Sequence, residues 1–179
     1  GTGAALTSLA VNATGAITDS AGVTMAVTAG AGAAFFNAPA FNITLGDQGG
    51  DTLNFGTLRV NGANVAVNEA SATDFTGVNT ATGSLTLTSA GAITDAAGTT
   101  FAVGGLATFT NGGAAAITLG DNGGDTTNFG SLSFNGIAVT ITEDSATEIA
   151  GVNAADGLTL TAAGAITDAP GTTLNVAAP

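Results

Sequence analysis

The sequence predicts an all-β chain: a right-handed parallel β-helix (β-solenoid) of about seven coils with almost no helix. Three observations predict it. The chain repeats internally with a long period of 73 to 76 residues. Within each repeat, apolar residues alternate with small or hydroxylated ones over short runs. Turn residues interrupt those runs at short, regular intervals.

Three segments align without gaps: LAVNATGAITDSAGVTMAV from Leu9, LTLTSAGAITDAAGTTFAV from Leu85 and LTLTAAGAITDAPGTTLNV from Leu158. A second pair, GDQGGDTLNFG from Gly46 and GDNGGDTTNFG from Gly120, is identical at nine of eleven positions, 74 residues apart. A third pair, LRVNGANVAV from Leu58 and LSFNGIAVTI from Leu132, has the same offset of 74. The chain therefore reads as one segment over residues 1–179, with repeats at 9–84 and 85–157 and a partial repeat at 158–179. The long period divides further. Leu85, Leu106, Leu132 and Leu158 each open a similar strand, and the first-copy equivalents are Leu9, Gly32 and Leu58. Seven units of about 20 to 27 residues result, each too short to bury a face alone, so each must stack on its neighbours.

The strands follow from period-two alternation. Val65 and Val67 flank Ala66; Leu85 and Leu87 flank Thr86; Phe101 and Val103 flank Ala102; Val139 and Ile141 flank Thr140. Threonine at the outward positions suits a solvated sheet face. The expected breaks are Asn61-Gly62, Asn111-Gly112, Asn135-Gly136, the Gly-Gly pairs and Ala169-Pro170-Gly171, where Pro then Gly fits a type II turn. An antiparallel sandwich needs about 100 residues per domain and adjacent antiparallel partners. Unequal units with turns at different places suit a solenoid, where each strand pairs with its equivalent one coil away. At about 4.8 Å per coil, seven coils give a rod of about 34 Å.

Composition narrows the function. Of 179 residues, 28 are Gly and 45% are hydrophobic, but only 8% are charged, which opposes disorder. The nine Phe, one Met and no Trp predict a thin core of small and β-branched residues. Without Cys there is no disulfide, thiolate or Cys-based zinc chemistry. Without His or Lys the commonest general base, Schiff-base chemistry and the P-loop lysine are absent. Thirteen acidic residues against the single base Arg59 give a net charge of −12, which excludes a nucleic-acid partner and a basic membrane-binding patch. No apolar run is long enough for a membrane-spanning helix. No polar cap is expected at either end, so the native molecule is expected to continue beyond these residues as a longer repeat protein or fibre.

The motifs LTSAGAITDAAGT, ITLGDNGGDTTNFGSLSFNG and VTITEDSATEIAGVNAADGLTLT resemble the β-strand repeats of giant secreted bacterial surface proteins, the filamentous-haemagglutinin-like adhesins. That resemblance covers nearly the whole chain. It implies a right-handed β-helix, an extracellular or cell-surface location, and a structural, non-enzymatic role as stalk, filament or adhesin. It brings no catalytic or cofactor-binding residues. The partners it implies are adjacent repeats or identical chains along a fibre, with divalent cations and surface glycans as the other classes.

Three acidic features are weighed against that reading. In GDxGGDTxNFG, Asp47 and Asp51, then Asp121 and Asp125, offer paired carboxylates on a glycine-rich turn, as calcium requires. Residues 46–54 partly resemble a calcium-binding nonapeptide, which would make the chain a calcium-dependent binding module. The competing reading is a turn whose Gly take positive φ and whose Asp cap backbone amides. The GAITD column places Asp19, Asp95 and Asp168 at equivalent corners, about 14 Å apart, where they read as Asp that open turns ending in Gly22, Gly98 and Gly171. Glu143, Asp144, Glu148 and Asp156, with Glu69 and Asp74 in the first copy, form the densest acidic stretch. It reads as a solvated outer loop. A carbohydrate-active β-helix enzyme is the distant alternative, and would need two carboxylates about 5 to 9.5 Å apart beside a cleft.

Overall fold

The computed structural model describes residues 6–27 and 34–177. Every regular element among them is a strand. The first turn holds β1 (Leu9–Asn12), β2 (Ile17–Thr18) and β3 (Thr24–Val27). The second holds β4 (Ala34–Ala38), β5 (Ile43–Leu45) and β6 (Thr52–Phe55). The third holds β7 (Leu58–Gly62), β8 (Val65–Glu69) and β9 (Thr73–Phe75), and the fourth β10 (Val78–Ala81), β11 (Leu85–Ser89) and β12 (Ile93–Asp95). Later strands run through their corners: β13 (Thr100–Thr110), β14 (Ile117–Leu119), β15 (Thr126–Glu143), β16 (Thr147–Ile149), β17 (Val152–Ala162), β18 (Ile166–Asp168) and β19 (Thr173–Val176). No helix among these residues is long and apolar enough to cross a membrane.

The ladders are parallel. One inward rung passes through Ile17, Ile43, Val65, Leu85, Ala107 and Leu132. A second passes through Ile93, Ile117, Val139 and Leu158. The chain is thus a β-solenoid of about seven turns, the predicted architecture. The alternation holds: Val65, Val67, Leu85, Leu87, Phe101, Val103, Val139 and Ile141 are all buried.

The core is more aromatic than composition suggested. Seven of the nine Phe are buried: Phe36, Phe55, Phe75, Phe101, Phe109, Phe129 and Phe134. They form contacts both within a turn and from one turn to the next. Phe101 meets Phe75 edge-on at 5.0 Å between centroids, Phe109 at 6.3 Å and Phe129 at 5.8 Å. Such pairs contribute about 0.5–1.5 kcal/mol each beyond burial.

Three local expectations are corrected. Leu85 is level with Ala107, not Leu106, which is 36% exposed and pairs with Ser131. The cause is an irregularity in β13 between Val103 and Leu106, around Gly104-Gly105. A Cβ on Gly104 would lie 2.4 Å from the Thr82 carbonyl oxygen, so the strands approach there as only glycine allows. Leu158 continues the Val139 ladder, whereas Leu132 pairs with Ile149. Gly32 lies outside the described residues. Asn61-Gly62 and Asn135-Gly136 are not turns: both lie inside strands, β7 and β15, with the glycines buried. Asn61 belongs to an amide ladder instead. Its Nδ2 donates to Asn37 Oδ1 at 2.8 Å, and Asn37 Nδ2 donates to Asn12 Oδ1 at 2.9 Å. The Ala169-Pro170-Gly171-Thr172 turn forms as predicted, with Gly171 at φ 81° and Thr172 N–H donating to the Ala169 carbonyl at 3.1 Å.

Candidate metal centre

One corner of the solenoid is built by GDxGGD. β5 ends at Leu45, and Gly46 turns the chain out at φ 70°. A Cβ on Gly46 would stand 2.2 Å from the Asn68 carbonyl oxygen of the next turn, so no other residue fits. The loop then carries Asp47 outward, folds through Gly50 at φ 87° and delivers Asp51 to the start of β6. Because β6 pairs with β3 in the register Thr24↔Thr52, Asp51 sits beside Val23 of the turn below. Its Oδ1 accepts the Val23 N–H and its Oδ2 the Gln48 N–H, both at 2.9 Å. The amide-capping reading holds for the second aspartate of the motif, Asp51, and half of its capping crosses between turns.

The second copy repeats the construction. Gly120 and Gly124 have φ 69° and 90°. Asp125 Oδ1 accepts the N–H groups of Gly98 at 2.8 Å and Thr99 at 3.1 Å, while Oδ2 accepts the Asn122 N–H at 2.8 Å. Asp121 is exposed, and its Oδ1 accepts from Asn122 Nδ2 at 3.2 Å.

The turns after the GAITD aspartates form, with Gly22, Gly98 and Gly171 at φ 76°, 80° and 81°, but the carboxylates of Asp19 and Asp95 reach beyond them. Asp19 Oδ2 accepts the Gly46 N–H at 2.9 Å, and Asp95 Oδ1 accepts the Gly120 N–H at 3.1 Å, each in the following coil. Each therefore faces that coil's loop aspartates. Asp19, Asp47 and Asp51 each place one carboxylate oxygen within 4.8 Å of the others, and so do Asp95, Asp121 and Asp125. Asp47, Asp51, Asp121 and Asp125 thus fall in two equivalent clusters, and the third carboxylate of each comes from the GAITD column, Asp19 in one and Asp95 in the other. Asp168 is exposed and has no such loop stacked on it among the described residues.

The electrostatics of the second cluster are unusual. Asp95 is 6% exposed, and its Oδ2 has no hydrogen-bond partner. Burial, with the charge of Asp125 and then of Asp121, pushes its carboxyl up to about 7, against a smaller opposing effect from the Gly120 N–H. Asp19 Oδ1 in the first cluster is likewise buried without a partner. The single base is engaged elsewhere: Arg59 Nε donates to the Val78 carbonyl at 3.1 Å, and its guanidinium lies 4.4 Å above the Phe35 ring.

The acidic stretch is not one solvated loop. Glu69 and Glu143 are each 1% exposed. Glu69 Oε1 accepts from Phe55 N–H at 2.6 Å and Ser71 Oγ at 3.0 Å, and Oε2 accepts from Thr73 Oγ1. Glu143 makes the same set with Phe129, Ser145 and Thr147. Burial raises the Glu69 carboxyl, against the lowering effect of these donors. Only Asp144, Glu148 and Asp156 of the stretch are exposed. Asp74 is half-buried and accepts from Thr94 Oγ1 at 2.8 Å. A related pair escaped the sequence reading: Asn79 and Asn153 are fully buried, and their Oδ1 atoms accept the N–H groups of Val60 at 3.0 Å and Phe134 at 2.9 Å.

The fold and these corners define a repeat β-solenoid whose coils are tied by side chains reaching one turn along the axis. The chain belongs to the family described as repeats of unknown function (DUF5649), which matches residues 62–133 and 136–178, together more than half of its length. No curated protein and no solved structure matches it.

Proposed function

We propose that this chain is a structural, non-enzymatic rod segment of an extracellular bacterial fibre or adhesin stalk. The observation that carries the reading is the continuous parallel ladder, in which each coil is the template for the next and no coil has a self-contained core. Backbone hydrogen bonds then lie along the rod axis, so tension is shared over all strands of a coil. A net charge of −12 keeps such rods apart in solution. The resemblance of the repeat type to giant surface adhesins supports the location.

The test is protease shaving of intact cells that make the protein, followed by an antibody raised against folded chain. The expected result is loss of the epitope from unlysed cells, using a protease that degrades the folded rod. An epitope protected until lysis would refute the extracellular role.

A further inference from the structure

The strongest unassigned feature is the corner between β12 and β13 on one coil and between β14 and β15 on the next. Three aspartates meet there, and no basic side chain is paired with them. Cluster geometry alone would say little in so acidic a chain. The second observation is Asp95: the residue is 6% exposed, and its Oδ2 is buried without any donor. A buried carboxylate oxygen with no donor is costly unless something positive meets it. One oxygen each of Asp95, Asp121 and Asp125 lies within 4.8 Å of the others, and ionised carboxylates only accept, so the corner is met either by a proton on Asp95 or by a cation that displaces it.

We propose that Asp95, Asp121 and Asp125 bind one divalent cation of calcium's size, held between two successive coils. The donor set is all oxygen and carries no nitrogen or sulfur, which selects a hard cation. Calcium takes about six to eight oxygens in flexible geometry, which suits three carboxylates brought from two coils and completed by water, whereas magnesium demands near-ideal octahedral geometry and keeps several of its waters. The remaining positions go to water on the open side, where Asp121 is exposed. Asp125 is fixed in place by the N–H groups of Gly98, Thr99 and Asn122, so the loop is already shaped before an ion arrives. The corner made by Asp19, Asp47 and Asp51 has the same residues in the same register, with Asp19 Oδ1 as its buried, donor-free oxygen. It takes a second ion. Each ion staples one coil to the next at this corner. This inference is independent of the extracellular reading, since the binding holds wherever the chain resides.

The experiment is calorimetric titration of CaCl2 into chelator-stripped protein, at about 0.15 M NaCl to screen diffuse charge. Calcium is taken to about 10 mM, above the 10⁻⁴–10⁻³ M range of extracellular calcium modules. Saturable uptake is expected, with stoichiometry falling by one ion in Asp95→Asn and a raised melting temperature in the calcium-bound parent. Asp121→Asn is the companion variant, because its side chain is exposed and its loss leaves the turn caps in place; it should lower affinity at the same corner at least tenfold. Glu148→Gln, exposed and remote from both clusters, should titrate like the parent. Absence of saturable uptake overturns the proposal. So does unchanged uptake in both Asp variants, or an equal loss in Glu148→Gln, which would mean diffuse counterion binding. MgCl2 binding as tightly as CaCl2 overturns the assignment of the ion.

Discussion

Glu69 reaches back across one coil, and its Oε1 accepts the Phe55 N–H at 2.6 Å in a fully buried corner. The carboxylate takes the place of a backbone acceptor where the ladder between β6 and the next turn lapses. Burial raises the Glu69 carboxyl above its ordinary 4.5, so the folded state holds that proton more tightly than the unfolded chain. The stability contributed by this group is therefore greatest below about pH 4.5 and is lost as pH rises through the folded value. Glu69→Gln keeps an oxygen for the Phe55 N–H and carries no charge. Urea melts at several pH values should show parent and variant diverging in favour of Gln as pH rises above 4.5. Parallel pH profiles would refute the assignment.

Phe101 is the centre of the aromatic column, in contact with Phe75, Phe109 and Phe129. Phe101→Ala should cost about 3–5 kcal/mol, because the rings on both sides are held by their own ladders and cannot close the cavity. Phe41 is 42% exposed and contributes only backbone hydrogen bonds at a bend, so Phe41→Ala should stay within about 0.5 kcal/mol of the parent. Equal losses in denaturant melts would show that the Phe101 column is not the core.

What the sequence made legible was whatever depends on residues close together in the chain. The alternation of Val65 and Val67, the 74-residue offset and the Pro170-Gly171 turn are local signals, and each reappears in the fold. The errors share one cause: partners one coil away. Asn-Gly is a turn signal in isolation, yet Asn61 gains an amide partner in Asn37 and stays in the strand. Glu69 and Glu143 look like solvated charges until neighbouring coils supply their donors. Asp19 and Asp95 lie three coils apart, too far to meet each other, and the loop that each faces lies a single coil further on. The signal was present in both copies. GDxGGD follows GAITD by about one coil length each time, so the register of two short motifs would have brought the aspartates together.

Two glycines with similar backbone angles should respond differently to the same change. Gly98 has φ 80° and open space where a Cβ would stand. Gly98→Ala therefore meets only the left-handed backbone penalty of about 1–2 kcal/mol. Gly120 has φ 69°, and a Cβ there would lie 2.3 Å from the Thr142 carbonyl oxygen. Gly120→Ala must also push two coils apart at the β14–β15 corner, and should cost at least twice as much or prevent folding. Thermal melts of the two variants decide. A similar small loss in both would mean that the coils at Gly120 yield easily.

Arg59 gives a direct test of the ladder, because it offers trypsin its single site in the chain. It lies in β7, with its backbone level with Phe35 on one side and the β7–β10 pairing following two residues on. Its side chain is also held, by the Val78 carbonyl and by the face of Phe35. A protease must draw several residues around the cut into an extended, separate strand. Here that requires breaking ladders on both sides of β7 in the middle of a rod, where no edge is free to peel. Cleavage should then follow the rare opening of the whole turn, and native protein should survive for hours under conditions that cut urea-unfolded chain within minutes. The products, when they appear, should be residues 1–59 and 60–179. Native chain cut as fast as unfolded chain would mean that β7 is not held in the stack.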